Sequence, residues 1–362
     1  MNLLNWIKVI DKKVTALSVE SNLCTSRISP KSSCQSCVEV CPTKSISFNN
    51  KEIVIDDHCV ECGLCTAVCP TGSIVMNRPS LSQITYDLIS TCERNETVYL
   101  HCDKVTLSKK RATAVSVPCL GMIPREAWVR IMNKCENLSI YHPDACQGCE
   151  ITTGEQIWRK ELEVGEKMCG QTIPILTQVY NGDQEVSYDL DRRAFLSSLF
   201  NEMKSTNKLV LKEMAGGAPS IPSYLEKIKD SDSVTKVKKE WEALSHQMVE
   251  NITKESAYPY MQKRSLFISE LQGSEELQNR KDTRLPEILP DCSFCGACTI
   301  LCPTEAIQME YVNDRQVITL TPYKCVGCSL CEEICYTESI VLLPQPNGML
   351  LREEHIIAAK NG

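Results

Sequence analysis

Four short runs of cysteine constrain this chain more than any other feature. They read Cys34-x2-Cys37-x3-Cys41-Pro42-Thr43, Cys59-x2-Cys62-x2-Cys65-x3-Cys69-Pro70-Thr71, Cys292-x2-Cys295-x2-Cys298-x3-Cys302-Pro303-Thr304 and Cys325-x2-Cys328-x2-Cys331-x3-Cys335-Tyr336-Thr337. An isoleucine follows each at one offset: Ile46, Ile74, Ile307 and Ile340. Cysteines this closely spaced cannot all pair as disulfides, because neighbouring Cα atoms lie at the wrong distances and directions. The total of 23 is odd as well. The N-terminus places Leu3, Leu4, Ile7, Ile10 and Val14 at helical spacing, without the basic start, apolar stretch and cleavage site of an export signal. A reducing, cytoplasmic setting is therefore expected, where clustered thiols read as metal ligands.

The runs resemble the bacterial-type ferredoxin that carries two 4Fe-4S clusters, and the chain looks like two such modules, at 19–77 and 291–345. Structural zinc sites fit less well, since their ligand halves are separated by longer gaps. In the ferredoxin pattern three close thiolates hold one cube, and the fourth cysteine of the run reaches the other. The resemblance then implies four ligand groups. Cys59, Cys62 and Cys65 join Cys41. Cys34 and Cys37 join Cys69. Cys292, Cys295 and Cys298 join Cys335. Cys325, Cys328 and Cys331 join Cys302.

The first run departs from the pattern, because its leading slot is Lys31. Cys24 lies upstream, across the insert SRISPKSS, and such a loop can return it as the missing ligand. The alternative is a cluster with three thiolates and an open iron. Tyr336 replaces the last proline, which implies a looser turn there. Between the halves of each module, Ser45–Phe48 with Ile53–Ile55 and Ile307–Tyr311 with Val317–Leu320 read as hairpins around Asn49-Asn50 and Asn313-Asp314.

Residues 78–185 change character. Ser80-x-x-Gln83 reads as a capping box opening a helix that Cys92 closes. Strands are expected at Val98–Leu100, Ala114–Val117, Leu138–Tyr141 and Ile173–Val179, and helices at Arg125–Cys135 and Thr153–Met168. This alternation indicates a parallel α/β sheet, whose carboxyl edge binds ligands. Cys102, Cys119, Cys146 and Cys149 follow strand ends and can converge there. Cys92, Cys135 and Cys169 end helices, so they belong on the opposite edge, roughly 15 Å away. His101 and His142 flank the quartet as hydrogen-bonding neighbours.

The stretch VPCLGMIPREAWVRIMNKCENLSIYHPDACQGC is similar to the iron–sulfur delta subunit of methyl-viologen-reducing hydrogenase. That family binds a 2Fe-2S cluster and passes electrons to heterodisulfide reductase. Here the final pair is C-x2-C, and Cys102 stands where two cysteines are expected, so ligand set and cluster type stay open. A 2Fe-2S cluster, a structural zinc and a Cys146/Cys149 dithiol are the three readings.

The fold class expected is two α+β ferredoxin modules with an inserted α/β parallel-sheet domain and a helical connector. An N-terminal helix occupies 1–18, the connector 186–290 and a tail 346–362. Asp191 can cap a connector helix, and Ala215–Pro219 breaks it. Arg192-Arg193-x-Phe195-Leu196 looks like a twin-arginine signal but is internal. The basic residues from Lys227 to Arg264 read as a solvated face. With 39 basic against 46 acidic side chains, clustered phosphate contacts are not expected, so no nucleic-acid partner is called. No run approaches the roughly 18 apolar residues of a membrane span. No nicotinamide, flavin or haem motif is found.

The function expected is electron transfer through four 4Fe-4S clusters and a fifth metal site, as a wiring subunit beside a redox partner or catalytic subunit. The rival is a reductase, acting on a small substrate or disulfide through an open iron or the Cys146/Cys149 dithiol.

Overall fold

A computed structural model describes residues 16–49, 52–105, 113–144, 146–177 and 262–360. The first module opens with β1 (Leu17–Val19), whose partner is β4 (Ile74–Met76), antiparallel, with Leu17 opposite Met76. Between them lie the hairpin strands β2 (Ile46–Asn49) and β3 (Glu52–Ile55), with Ile46 opposite Ile55. The isoleucines after the cysteine runs thus begin strands and are buried: Ile46 and Ile74 in this module, Ile307 and Ile340 in the other.

A four-stranded parallel sheet follows, ordered β6 (Ala114–Val117), β5 (Val98–Cys102), β7 (Leu138–Tyr141), β8 (Ile175–Leu176). Every residue of β5 is buried, as a central parallel strand covered on both faces requires. The helix Leu81–Arg94 starts at Ser80, whose hydroxyl accepts from the Gln83 amide at 3.1 Å. The Gln83 side chain turns to Asp87, so half of the capping box forms. The helices Arg125–Lys134 and Gly154–Cys169 pack through the fully buried Trp128. Gly165 makes room: a Cβ there would lie 2.8 Å from Trp128 Cβ.

The second module repeats the first. Here β9 (Thr283–Ile288) pairs with β12 (Ile340–Gln345), and β10 (Ile307–Val312) with β11 (Arg315–Leu320). Asn313 and Asp314 both have positive φ, which the tight turn between β10 and β11 demands. A fifth strand, β13 (His355–Ala359), adds to β11, so the segment expected as a tail joins the sheet.

Two other expectations change. Most of the N-terminal helix expected over 1–18 lies outside the described residues, but Leu17 and Ser18 belong to β1. Residues 186–261 of the connector also lie outside them, with the Asp191 cap, the Arg192-Arg193 string and the Ala215–Pro219 break. Its described end is helical at Gln262–Leu271 and Glu275–Asn279, then becomes strand β9. Leu285 is buried while Arg284 and Glu287 face outward. Pro286 masks that pattern in sequence, since proline argues against a strand.

Candidate metal centres

Backbone conformation marks the cysteine runs as one structural unit. The residue after each Thr takes positive φ: Lys44, Gly72, Glu305 and Glu338. Between the first two cysteines of the complete runs, Glu61, Phe294 and Gly327 do the same. After the second, Gly63, Gly296 and Ser329 follow suit. Side chains other than glycine pay steric strain there, and the turned amides form a concavity for negative charge. The Phe294 amide, for instance, reaches Cys292 Sγ at 3.4 Å. The first run has none of these left-handed positions around Cys34, where Gln35 has φ −129° and a helix begins at Ser36.

Cys41, Cys59, Cys62 and Cys65, here group A, line one cavity with about 290 Å³ of atom-free space, partly open to solvent. Cys24, Cys34, Cys37 and Cys69, group B, line another of about 330 Å³. Cys24 sits between the turn Ser21–Leu23 and the helix Thr25–Ile28. The Ser26 hydroxyl donates to the Cys34 carbonyl, folding the insert back on its run. Burial pushes the Cys37 thiol up to about 12, with further repulsion from Cys69, Cys24 and Cys34.

The second module sorts its thiols in the same crossed way. Burial pushes Cys298 up to about 12, and its repelling neighbours are Cys292, Cys295 and Cys335, group D. Cys328 is likewise pushed up to about 12 by burial, then by Cys325 and Cys302. Cys331 is raised by burial and by Cys325, Cys328 and Cys302, which completes group C. In all four runs the Thr hydroxyl meets the sulfur of the last cysteine. The pairs are Cys41–Thr43 at 3.6 Å, Cys69–Thr71 at 3.7 Å, Cys302–Thr304 at 3.8 Å and Cys335–Thr337 at 3.5 Å.

At the carboxyl edge of the parallel sheet, Cys102, Cys119, Cys146 and Cys149 line a single cavity of about 320 Å³, partly open like the others. Gly154 leaves the space, since a Cβ there would sit 3.0 Å from Cys119 Sγ. Among the described residues, no three His, Cys, Asp or Glu side chains close on a point tightly enough for a single ion. The quartet instead lines a space of its own, as groups A and B each do. His142 Nε2 lies 3.1 Å from Cys146 Sγ, as a hydrogen-bonding neighbour. His101 Nδ1 instead contacts the Cys102 carbonyl at 2.9 Å. Burial raises the Cys146 thiol, and the nearby Trp158 indole works against that rise. The buried Trp158 Nε1 nevertheless has no partner of hydrogen-bond geometry. An acceptor within the cavity would satisfy it, so the residues present fit a sulfur-rich group.

The other three cysteines stand apart. Cys92 and Cys135 precede β5 and β7, and their thiols meet each other. Cys169 contacts the Val129 carbonyl at 3.8 Å.

The groups are neighbours. A Cβ on Gly63 would lie 2.7 Å from Met122 Cβ, and one on Gly121 would overlap Leu64 Cδ2. These two glycines let the loop of group A press against the turn after Cys119. Burial pushes Cys119 up to about 12, and its foremost repelling thiol is Cys62 of group A. Cys65 of group A is in turn repelled by Cys37 of group B. Between the modules, the Ser33 amide donates to Glu333 Oε2 at 3.2 Å, and the two side chains also hydrogen-bond. Lys263 Nζ donates to the Ala67 carbonyl at 2.9 Å and to the Cys69 carbonyl. Arg264 Nη2 donates to the Cys325 carbonyl at 2.7 Å. These two cations are therefore not the solvated face expected of them. They also line a separate cavity whose walls hold no cysteine.

Sequence reasoning missed the role of the four threonines, although their fixed offset was visible. It also missed Lys263, Arg264 and Trp158, for which only long-range contacts supply a signal.

Residues 29–78 match the LdpA Fe-S cluster-binding domain, and residues 291–339 match the 4Fe-4S dicluster domain. Both segments are iron–sulfur cluster-binding domains. The chain is also similar to a heterodisulfide reductase C-like protein of Archaeoglobus profundus, 31% identical over 82 residues. That similarity covers 17% of this chain and 44% of the relative, so less than half of the relative's length is spanned. No solved structure matches the chain. Among the described residues no helix is long and apolar enough to cross a membrane.

Proposed function

We propose that this chain is an electron-wiring subunit of a cytoplasmic oxidoreductase complex, holding four 4Fe-4S clusters in groups A to D and a fifth centre at Cys102, Cys119, Cys146 and Cys149. The observation that carries this reading is the succession of the groups. Gly63 and Gly121 bring the loop of group A against the turn after Cys119, Cys65 neighbours Cys37, and the adjacent Lys263 and Arg264 reach Cys69 of group B and Cys325 of group C. The order is then fifth centre, A, B, C, D. A file of neighbouring centres is what one-electron conduction needs. Clusters bound there supply one-electron redox chemistry.

The chain's own groups set the conditions. Thiolates hold the irons. Threonine hydroxyls donate to sulfur and favour the more negative, reduced state. Lys263 and Arg264 place positive charge at the carbonyls of Cys69 and Cys325, in groups B and C. For the fifth centre, a 2Fe-2S cluster is supported over zinc because no three of these side chains close on one point as a single ion requires. The resemblance to the hydrogenase delta subunit points the same way. Similarity to a heterodisulfide reductase C-like protein supports a place beside a catalytic partner.

The test is anaerobic purification with iron analysis and EPR. Four cubes give about sixteen irons, and a 2Fe-2S site adds about two. About eight irons would remove one module from the proposal, and turnover of a disulfide substrate without a partner would favour the reductase.

A further inference from the structure

One end of the file of groups carries an exposed thiol. Of all 23 cysteines only Cys295, in group D, is exposed. At the other end Cys102 and Cys119 are buried and Cys146 and Cys149 half-buried. Around Cys295 the surface is apolar at its centre. Ile300 is 80% exposed and Tyr336 is 64% exposed. Tyr336 directly follows the group D ligand Cys335, and its phenol donates to Ser293 Oγ at 2.7 Å, across the loop from Cys292 to Cys295. The ring is thus held over the ligand loop and not left free.

The rim is acidic. Asp291 and Glu338, next to the ligand loops, are both exposed. Residues 291–345 carry seven carboxylates against two cations, whereas 19–77 carry six against four. A second copy of this chain would bring the same negative charge, so self-association through this face is disfavoured.

We propose that this face docks a redox protein whose one-electron centre lies in an apolar patch with a lysine- or arginine-rich rim. The inference rests on the reading that group D carries a cluster. One electron passes between that cluster and the partner's centre, with no bond made and no proton moved. The cluster's loss of one electron equals the partner's gain.

Reduced holoprotein, prepared with dithionite and desalted, would be mixed with ferric cytochrome c as a basic one-electron probe. Duroquinone would serve as a neutral oxidant that needs no docking. The variants are Asp291→Asn/Glu338→Gln at the face and Glu93→Gln/Glu96→Gln on exposed residues of the α/β domain. At low salt the face variant should slow cytochrome reduction by about fivefold, with weaker salt dependence, while the control pair and the quinone rates stay put. Carbodiimide cross-linking should join Asp291 or Glu338 to probe lysines, a readout independent of turnover. Equal rates for both variants, or cross-links confined to other carboxylates, would overturn the docking face. EPR of the starting protein separates the two failures: if the wild type shows no reducible cluster, the electron-transfer reading itself falls.

Discussion

Replacing Gly121 by alanine should strain the contact between the α/β domain and group A. The new Cβ would overlap Leu64 Cδ2 and lie 3.1 Å from the Gly154 carbonyl oxygen. Leu64 is fully buried and lines the group A cavity, so its methyl can yield only toward the thiols, and the carbonyl belongs to the start of a long helix. Overpacking of this kind costs about 1–3 kcal/mol. Thermal unfolding of holoprotein should therefore fall by a few degrees. Leu64→Ala alone removes a buried side chain and should cost about 2–5 kcal/mol. The double variant has room for the new methyl, so its loss should be smaller than the sum by about 1 kcal/mol or more. EPR adds a second readout, because Cys119 and Cys62 are neighbours across this contact. Magnetic interaction between the fifth centre and group A should weaken in Gly121→Ala and recover in the double variant. Strict additivity of the two losses, with unchanged spectra, would refute the idea that the Gly121–Leu64 approach sets this spacing.

Three further outcomes are expected. Cys24→Ala should open group B and give a three-iron EPR signal on oxidation; an unaltered spectrum and iron content would make Cys24 a bystander. Cys119→Ala should lose or remodel the fifth centre with the four cubes intact, while Cys135→Ala should cost only about 1 kcal/mol and no metal, as iron and zinc analysis will tell. Thr304→Val removes a hydroxyl from Cys302 Sγ and should lower the midpoint potential of one cluster in a redox titration; an unmoved titration curve would deny the hydroxyl that role.

Where local spacing decides the geometry, the sequence was readable. The crossed thiol groups, the Asn313-Asp314 turn and the strand-end placement of Cys102, Cys119, Cys146 and Cys149 all follow from offsets of a few residues. Contacts between distant segments were not readable. Lys263 and Arg264 stand in a lysine-rich stretch, and nothing local distinguishes them from solvated neighbours. Their carbonyl partners lie 194 and 61 residues away. Strand β9 was hidden by Pro286, which is tolerated because a two-stranded sheet has only edge strands. Tyr336 was read as loosening its turn, yet its phenol ties two ligand loops together through Ser293.

In the proposed function, duplication of the module gives a direction because the two copies meet different neighbours. Each copy has two ligand groups, so two copies present four ends. Groups B and C meet through the adjacent cations Lys263 and Arg264, and Ser33 ties group B to the second module at Glu333. Group A is covered by the α/β domain, where Gly63 and Gly121 permit backbone to approach side chain closely. Contacts that substitution can remove one at a time thus lie at three of the four ends, where no thiol is fully exposed. The fourth keeps Cys295 exposed and carries the negative rim. Selection of a partner at that end would need no change in the groups behind it. Charge and apolar area around Ile300 and Tyr336 can vary on the surface while the buried spacing from Cys119 to Cys298 is held by packing.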